Sequence, residues 1–361
     1  MHKNRLLKLR QSFGELKIDG VLITDPDNVF YLSGFTGYGD GKLFITAERA
    51  YLITDSRYEI QAVQEAKDFS LCIASRLGDP AFRQLIANSG VRFLGFEDKT
   101  ISFDAYRGLT ELLDFVSFLP IGETVTQLRM IKEEFEIRII KKACSIAAAA
   151  FAEEKERIVP GCKELEVASA LEYNMRQRGA LRTSFDTIVA SGPRSAMPHG
   201  VAGKRVIQQG DCVTVDFGAF YHGYCSDMTR TVFAEGPASA KLQEIYQIVQ
   251  AAQEAAIRGF YTGMPAYILD QLARDYITRQ GYGPCFGHSL GHGVGICVHE
   301  APYISPRGTA LLKPGMVFSI EPGIYKEGVG GVRIEDLVVV RENGLEILTR
   351  KGELRENGGV S

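Results

Sequence analysis

The sequence predicts two domains, a smaller α/β domain at the N-terminus and a larger α+β domain after it. Three observations predict this. Before residue 120, short apolar runs alternate with helix-like segments, the pattern of an α/β layer. After residue 132, long helical patterns are interleaved with hairpin-like runs rich in Val, Thr, Phe and Tyr. A chain of 361 residues also suits about two domains.

In the first domain VLITDP, KLFITAERAYLIT, FSLCIA and VRFLGFE read as strands, and 57–67, 79–89 and 103–114 as helices. Pro120 to Thr126 reads as the linker, which sets the domains at 1–125 and 126–361. The second domain opens on EEFEIRIIKKACSIAAAAFAEEKERI, a helix with apolar residues at Phe135, Ile139, Ile140, Cys144 and Ala147. VPGCK stops it. Further helices are predicted at 163–179, 237–259 and 266–280, with antiparallel hairpins between and after them.

Two of these hairpins carry paired acids. Residues 213–217 and 224–233 flank Tyr221, His222 and Gly223, and they hold Asp216 and Asp227. The midpoint of the two acids falls in the turn, so a symmetric hairpin places them face to face, with Cβ atoms roughly 5 Å apart. Glu321 and Glu335 repeat the pattern around KEGVGG, and their midpoint is Gly328. Carboxylates that close repel unless a divalent ion lies between them. Between the pairs lies GHSLGHGVGICVHEAP, with His288, His292 and His299. Its glycines argue against a helical zinc pair and let the backbone come close to a metal and substrate. The loop lacks the Lys-Ser/Thr ending of a phosphate-binding P-loop. Oxygen-rich ligation with one imidazole suits manganese, cobalt, iron or zinc. Two such ions about 3.5–4 Å apart can share a hydroxide nucleophile and hold a carbonyl oxygen.

Composition narrows the remaining classes. Hydrophobic content of 45% and charged content of 24% are ordinary for a globular chain. A net charge of -3 offers no basic field for nucleic acid. No run reaches the roughly 18 apolar residues of a membrane span. The N-terminal MHKNRLLKLRQSFGELKIDG lacks a signal-peptide core. Seven cysteines without a C-x-x-C point to a reduced, cytoplasmic setting. Cys225 and Cys297 read as buried fillers, Phe185 as core and His222 as solvent-facing.

From about 130 to 350 the chain resembles the pita-bread metallopeptidases, which include methionine aminopeptidase, aminopeptidase P and prolidase. Asp216 and Asp227 match D-x-G…S-D-x-T-R-T, His292 matches H-G-x-G, Glu321 matches S-I-E-P-G, and Glu335 matches R-x-E-D. DPDNVFYLSGFTG and LITDSRY resemble the creatinase-type N-terminal domain of the Xaa-Pro branch. The resemblance implies an α+β pita-bread catalytic domain behind that smaller domain, two divalent ions per subunit with manganese foremost, and a homodimer. It implies that Asp227 and Glu335 bridge the ions, that Asp216 completes one shell, and that His292 and Glu321 complete the other. Glu321 would move the proton from nucleophile to leaving nitrogen. His299 would steady the carbonyl, His199 would be a further active-site histidine, and His288 would line the proline pocket.

Arg333 shares strand parity with Glu335, so it can hydrogen-bond a ligand carboxylate on the same face, with Tyr325 as a further support. Within the branch, a prolidase must bind a free proline carboxylate and needs a cation there. HEAPYISPRG has Tyr303 where many prolidases carry Arg, with Arg307 farther on. The expectation is therefore an Xaa-Pro aminopeptidase acting on proline-containing peptides, with prolidase as the alternative. A creatinase-like hydrolase and a non-catalytic binding module are the readings from other classes.

Overall fold

A computed structural model of the chain describes residues 2–74 and 78–350, and the backbone of strand Leu354–Glu356. It divides into two compact units, Met1–Arg129 and Met130–Ser361.

The first unit is built on a mixed six-stranded sheet. Its order is Ser70–Ile73, Ala50–Thr54, Lys42–Thr46, Gly20–Ile23, Phe93–Phe96 and Ser117–Pro120. KLFITAERAYLIT is two strands of a hairpin rather than one, because Thr46 N bonds to Arg49 O (2.8 Å) and closes a tight turn. The two antiparallel pairings lie at the centre, and parallel pairings lie outside them. Leu22, Phe44, Ile53 and Leu94 of the sheet pack on Phe82 and Ile86 of helix Pro80–Ser89 and on Leu109 of helix Phe103–Leu112. Sequence reading missed helix Pro26–Ser33, although its punctuation is complete. Asp25 caps the N–H groups of Asp27 and Asn28, Pro26 opens the first turn, and Gly34 closes the helix at φ 79°. The predicted linker is partly regular: Pro120 ends a strand, and helix Thr124–Met130 begins inside it.

The second unit repeats one construction twice. Helices Glu134–Glu154 and Glu164–Gln177 cover the ladder of Ile188–Ser191, Cys212–Phe217 and Met228–Phe233. Helices Ala240–Gly259 and Ala266–Arg279 cover Val317–Ile320, Asp336–Arg341 and Gly344–Ile347. On the long first helix the buried stripe runs through Ile137, Ile140, Ala143, Cys144, Ala147 and Ala150. The predicted Ile140, Cys144 and Ala147 lie in this stripe, whereas Phe135 and Ile139 at its edge are only partly buried.

The two halves meet at the strand Met228–Phe233. Glu335 N donates to Thr229 O (3.2 Å), and Thr231 Oγ1 donates to Arg333 O (2.7 Å). One acidic hairpin is thereby held beside the other. Among the described residues no helix is long and apolar enough to cross a membrane.

Gly218 follows the Asp216 strand where two backbones touch. A Cβ there would lie 2.0 Å from Ser226 O. Gly218→Ala is expected to cost about 1–3 kcal/mol, as overpacking does. In thermal unfolding this should lower Tm by about 2–4 °C per kcal/mol. An unchanged Tm would show that the hairpin opens without penalty.

Candidate active site

The first acidic pair is diagonal, not directly opposed as predicted. Asp216 is paired across the ladder with Thr229, and Asp227 lies two residues before Thr229. The cause is the turn. His222 (φ 47°) and Gly223 (φ 86°) both take left-handed conformations, so the hairpin closes on two residues, with Tyr221 opposite Tyr224. That sets the hairpin axis between His222 and Gly223, one residue later than the midpoint of the two acids. Parity still puts both carboxyls on one face, and such diagonal positions are about 7–8 Å apart at Cα, which leaves room for a cation.

The second pair keeps its predicted frame. Ile320 pairs with Asp336 and Gly323 with Arg333, two ladders in one register around Gly328 (φ 76°). Glu321 and Glu335 fall in the gap between them, across from each other.

His292 is carried by the short strand Gly291–Gly293, threaded between Glu300–Ile304 and Val317–Ile320. Its glycine neighbours are required there. A Cβ on Gly291 would lie 1.9 Å from Ser319 O, and one on Gly293 2.2 Å from Ala301 O. His292 Nδ1 is 3.1 Å from Gly293 O, so Nδ1 donates there and Nε2 is the nitrogen turned to the acids. Nε2 lies 3.2 Å from Glu321 Oε1 and 3.7 Å from Asp227 Oδ2. Asp227, His292 and Glu335 offer ligand atoms within 4.8 Å of one another, and Asp216 and Glu321 line the same cavity of about 490 Å³.

The electrostatics ask for a cation. Burial pushes Asp227 and Glu335 well above the ordinary carboxylate range, and the neighbouring acids push them further. Burial also raises Asp216, against the pull of Arg333. At Glu321 burial opposes the charge, but the hydrogen bond and charge of His292 outweigh it and hold the carboxyl at about 2. Burial lowers the His292 pKa, yet its contact with Glu321 raises it overall. Asp216 Oδ1 and Glu335 Oε1 are buried without a hydrogen-bond partner. A divalent ion would remove both the repulsion and these orphaned acceptors. The donor set of carboxylate oxygens and one imidazole nitrogen fits such an ion.

A hydrogen-bonded layer stands behind the acids. Arg333 donates to Asp216 Oδ2 (2.7 Å), Thr229 Oγ1 (3.1 Å), Tyr325 Oη (2.8 Å) and Pro198 O (3.1 Å). Thr229 Oγ1 donates to Glu335 Oε2 (2.8 Å). Burial pushes the Tyr325 phenol up to about 12, which keeps it a donor. His288 donates from Nδ1 to Ser289 O (2.8 Å), so its Nε2 accepts from Tyr325 (3.0 Å). Both ring nitrogens of His288 are thus engaged, and burial holds the ring neutral. His199 and His299 are exposed at the cavity, and among the described residues neither ring nitrogen has a hydrogen bond. The His299 ring lies 4.3 Å from that of His292, centroid to centroid. Desolvation, then the His292 charge, hold its pKa below the usual value.

Phe185, expected in the core, is a wall of the cavity. Tyr303 lines it, in keeping with its place in HEAPYISPRG, and Asp186, Ile188, Pro198, Val201 and Ser289 also line it and were not foreseen as lining residues. Thr229 was missed as well, although its parity in T-R-T next to Asp227 was a usable signal.

Residues 138–342 match the profile of metallopeptidase family M24, and residues 5–131 match the creatinase/prolidase N-terminal domain. The Xaa-Pro dipeptidase of Pyrococcus furiosus is 43% identical over 349 residues, 96% of this chain and 98% of that protein. A solved Xaa-Pro dipeptidase from Bacillus anthracis superposes with TM-score 0.93 and 44% identity, covering 99% of both chains. A solved X-Pro aminopeptidase from Thermotoga maritima gives TM-score 0.89 and 41% identity, covering 98% of both.

The raised carboxyls fix a pH dependence. Folded Asp227 and Glu335 hold protons that the unfolded chain releases at its ordinary carboxylate pKa. Stability of the metal-free protein is therefore full below that pKa and is lost as pH rises toward the raised folded values. Chelator-treated protein should lose Tm as pH rises above the ordinary carboxylate range. Manganese should flatten the slope. A metal-free Tm that instead rises with pH there would contradict the buried-acid account.

Proposed function

The chain belongs to metallopeptidase family M24, and from that premise we propose that it is a two-metal Xaa-Pro dipeptidase, a prolidase. The observation that carries the hydrolytic reading is the convergence of Asp216, Asp227, Glu321 and Glu335 on one cavity with the Nε2 of His292 turned toward them. The dipeptide reading is supported by relatives of near-complete coverage that are named Xaa-Pro dipeptidases. It replaces the sequence expectation, which put aminopeptidase first on the strength of Tyr303.

Family M24 peptidases use divalent metals. In this reading Asp216, Asp227, His292, Glu321 and Glu335 would hold two ions, Asp227 and Glu335 being shared between them, and manganese would be the preferred metal. Bound there, the ions supply a Lewis acid for the peptide carbonyl and a water of lowered pKa. The chain's own residues do the rest. Glu321 accepts the proton of the attacking water and returns it to the leaving proline nitrogen. His299 and His199, whose rings are free at the cavity, hydrogen-bond the substrate carbonyl and backbone. Arg333 holds Asp216 and Thr229 holds Glu335 in their ligating orientations. His288 meets the proline ring through its carbon edge, since its nitrogens are engaged.

Xaa-Pro aminopeptidase is the second reading. Arg333 is the sole Lys or Arg side chain lining the cavity among the described residues, and it is committed to Asp216, Thr229, Tyr325 and Pro198. The likeness to the Thermotoga maritima X-Pro aminopeptidase favours the same reading. The enzyme is further proposed to be a homodimer, on the family resemblance, and cytoplasmic, on seven free thiols.

One assay separates the readings. Manganese-loaded protein is given Ala-Pro and Ala-Pro-Ala, with and without chelator. Chelator-sensitive cleavage confined to the dipeptide is the expected result. Preferential cleavage of the tripeptide would make it an aminopeptidase. Asp227→Asn and Glu335→Gln should each lose one or both ions by elemental analysis. Glu321→Gln should lower kcat by about 10²–10⁴-fold, the usual worth of a general base. Full activity in metal-bound Glu335→Gln would remove Glu335 from the bridge.

A further inference from the structure

Beyond the carboxylate cluster, the unit buries another ion pair whose members serve no ligand role. Lys132 and Glu300 are 4% and 6% exposed, and Lys132 Nζ lies 2.7 Å from Glu300 Oε1. Each end is tied to backbone. Lys132 N donates to Gly315 O (2.9 Å), and Glu300 Oε2 accepts from Cys297 N (3.4 Å). The loop Val294–His299 is folded around the pair. Gly295 presses on it so closely that a Cβ would lie 2.4 Å from Glu300 Oε1 and 3.0 Å from Lys132 Cε. Other ties of this loop include Val294 N to Val317 O (3.1 Å), Cys225 N to Gly295 O (2.8 Å), Gly295 N to Cys297 O (3.0 Å) and Cys225 Sγ to Ile296 O (3.4 Å).

His299 comes last in that loop, directly before Glu300. Its ring nitrogens have no hydrogen bond among the described residues, and its ring meets that of His292 edge-on, a contact that limits the ring but does not fix its backbone. Its direction is set by the backbone at 299 and 300. His299 ends the bend that leads into strand Glu300–Ile304 and lines the cavity, while Glu300, the first residue of that strand, is turned to Lys132, so the placing of Glu300 fixes the backbone from which His299 departs. Stability alone gives little reason for the arrangement, because a buried ion pair can be replaced by apolar residues of similar size at little cost.

We propose that Lys132 and Glu300 are positioning residues for the hydrolytic reaction: their ion pair anchors the 294–299 loop so that His299 faces the carboxylate cluster. The proposal rests on the peptidase reading for its kinetic consequence only.

The test compares Lys132→Met, Glu300→Met and the double variant, each with and without His299→Ala. Single variants strand a buried charge and should lose stability. The double variant removes both charges, so its Tm and manganese content should return close to wild type. Its kcat on Ala-Pro should nevertheless stay down by about 100-fold, the scale of a small misplacement, with KM little changed. His299→Ala should cost wild type a similar factor and cost the double variant nothing more. Amide hydrogen exchange of residues 294–299 should be faster in the double variant.

A double variant with wild-type Tm, kcat and exchange would overturn the proposal, as would a full additional loss from His299→Ala. If unmodified protein cleaves neither Ala-Pro nor Ala-Pro-Ala, the peptidase reading falls. The exchange measurement then still decides whether the pair anchors the loop.

Discussion

Four carboxylates converge on one cavity, two of them buried to 4% and 1% exposure. At an effective dielectric near 20, two unit charges about 4 Å apart repel by roughly 4 kcal/mol. One guanidinium and one imidazole cannot balance four acids. Much else in the second unit follows from assembling these groups against their repulsion. Neither helix-and-ladder half could hold four acids on its own strands without opposing like charges across a pleat. Each half contributes two, and Thr229 and Thr231 lock the halves edge to edge at Glu335 and Arg333. The acids then meet across a junction held by backbone bonds, which does not yield when the charges push.

The segments that carry the histidines are irregular and glycine-rich, and their backbone groups lack full ladders. Buried ions complete them. Glu164 takes the N–H groups of Ser191 and Gly203 and pairs with Arg194, beneath the segment that holds His199. Asp270 takes Leu290 N and pairs with Arg274, which in turn donates to Phe286 O and His288 O. Arg230 and Arg350 flank Asp336, next to Glu335. A main-chain N–H or C=O left unpaired in the interior is costly, and a long charged side chain can reach where no strand does. The charges under these loops act as scaffolding for backbone that must stay non-regular to approach a metal.

What the sequence revealed and what it hid divide along physical lines. Strand parity is local, so the shared face of Arg333 and Glu335 and the frame around Gly328 could be read from spacing. The first hairpin's frame could not, because spacing alone does not say which two residues make the turn. The left-handed pair His222 and Gly223 decided that, and a histidine can take φ 47° without its identity announcing it. The helix Pro26–Ser33 was hidden for a different reason: its eight residues are too few for a helical repeat to stand out, and only the caps announce it. Phe185 and Tyr303 are legible as apolar or aromatic residues, but their role as cavity walls depends on which elements pack opposite them. Tertiary packing decides that, and periodicity carries no record of it.

The thiols show how the site keeps its ligand set hard. Cys144 and Cys225 are buried close enough for the Asp227 charge to act on both. A thiolate would compete with carboxylate for zinc and favour softer metals. Burial prevents this first: it pushes Cys225 up to about 12, and it raises Cys144 strongly as well. The acids then work in the same direction, since a negative neighbour disfavours a second negative charge. Cys225 Sγ instead donates to Ile296 O. Burial, and for Cys225 the hydrogen bond to Ile296 O, therefore keeps the nearby sulfur as thiol, with the acids a lesser contribution. What the cavity offers a cation is then carboxylate oxygen and imidazole nitrogen.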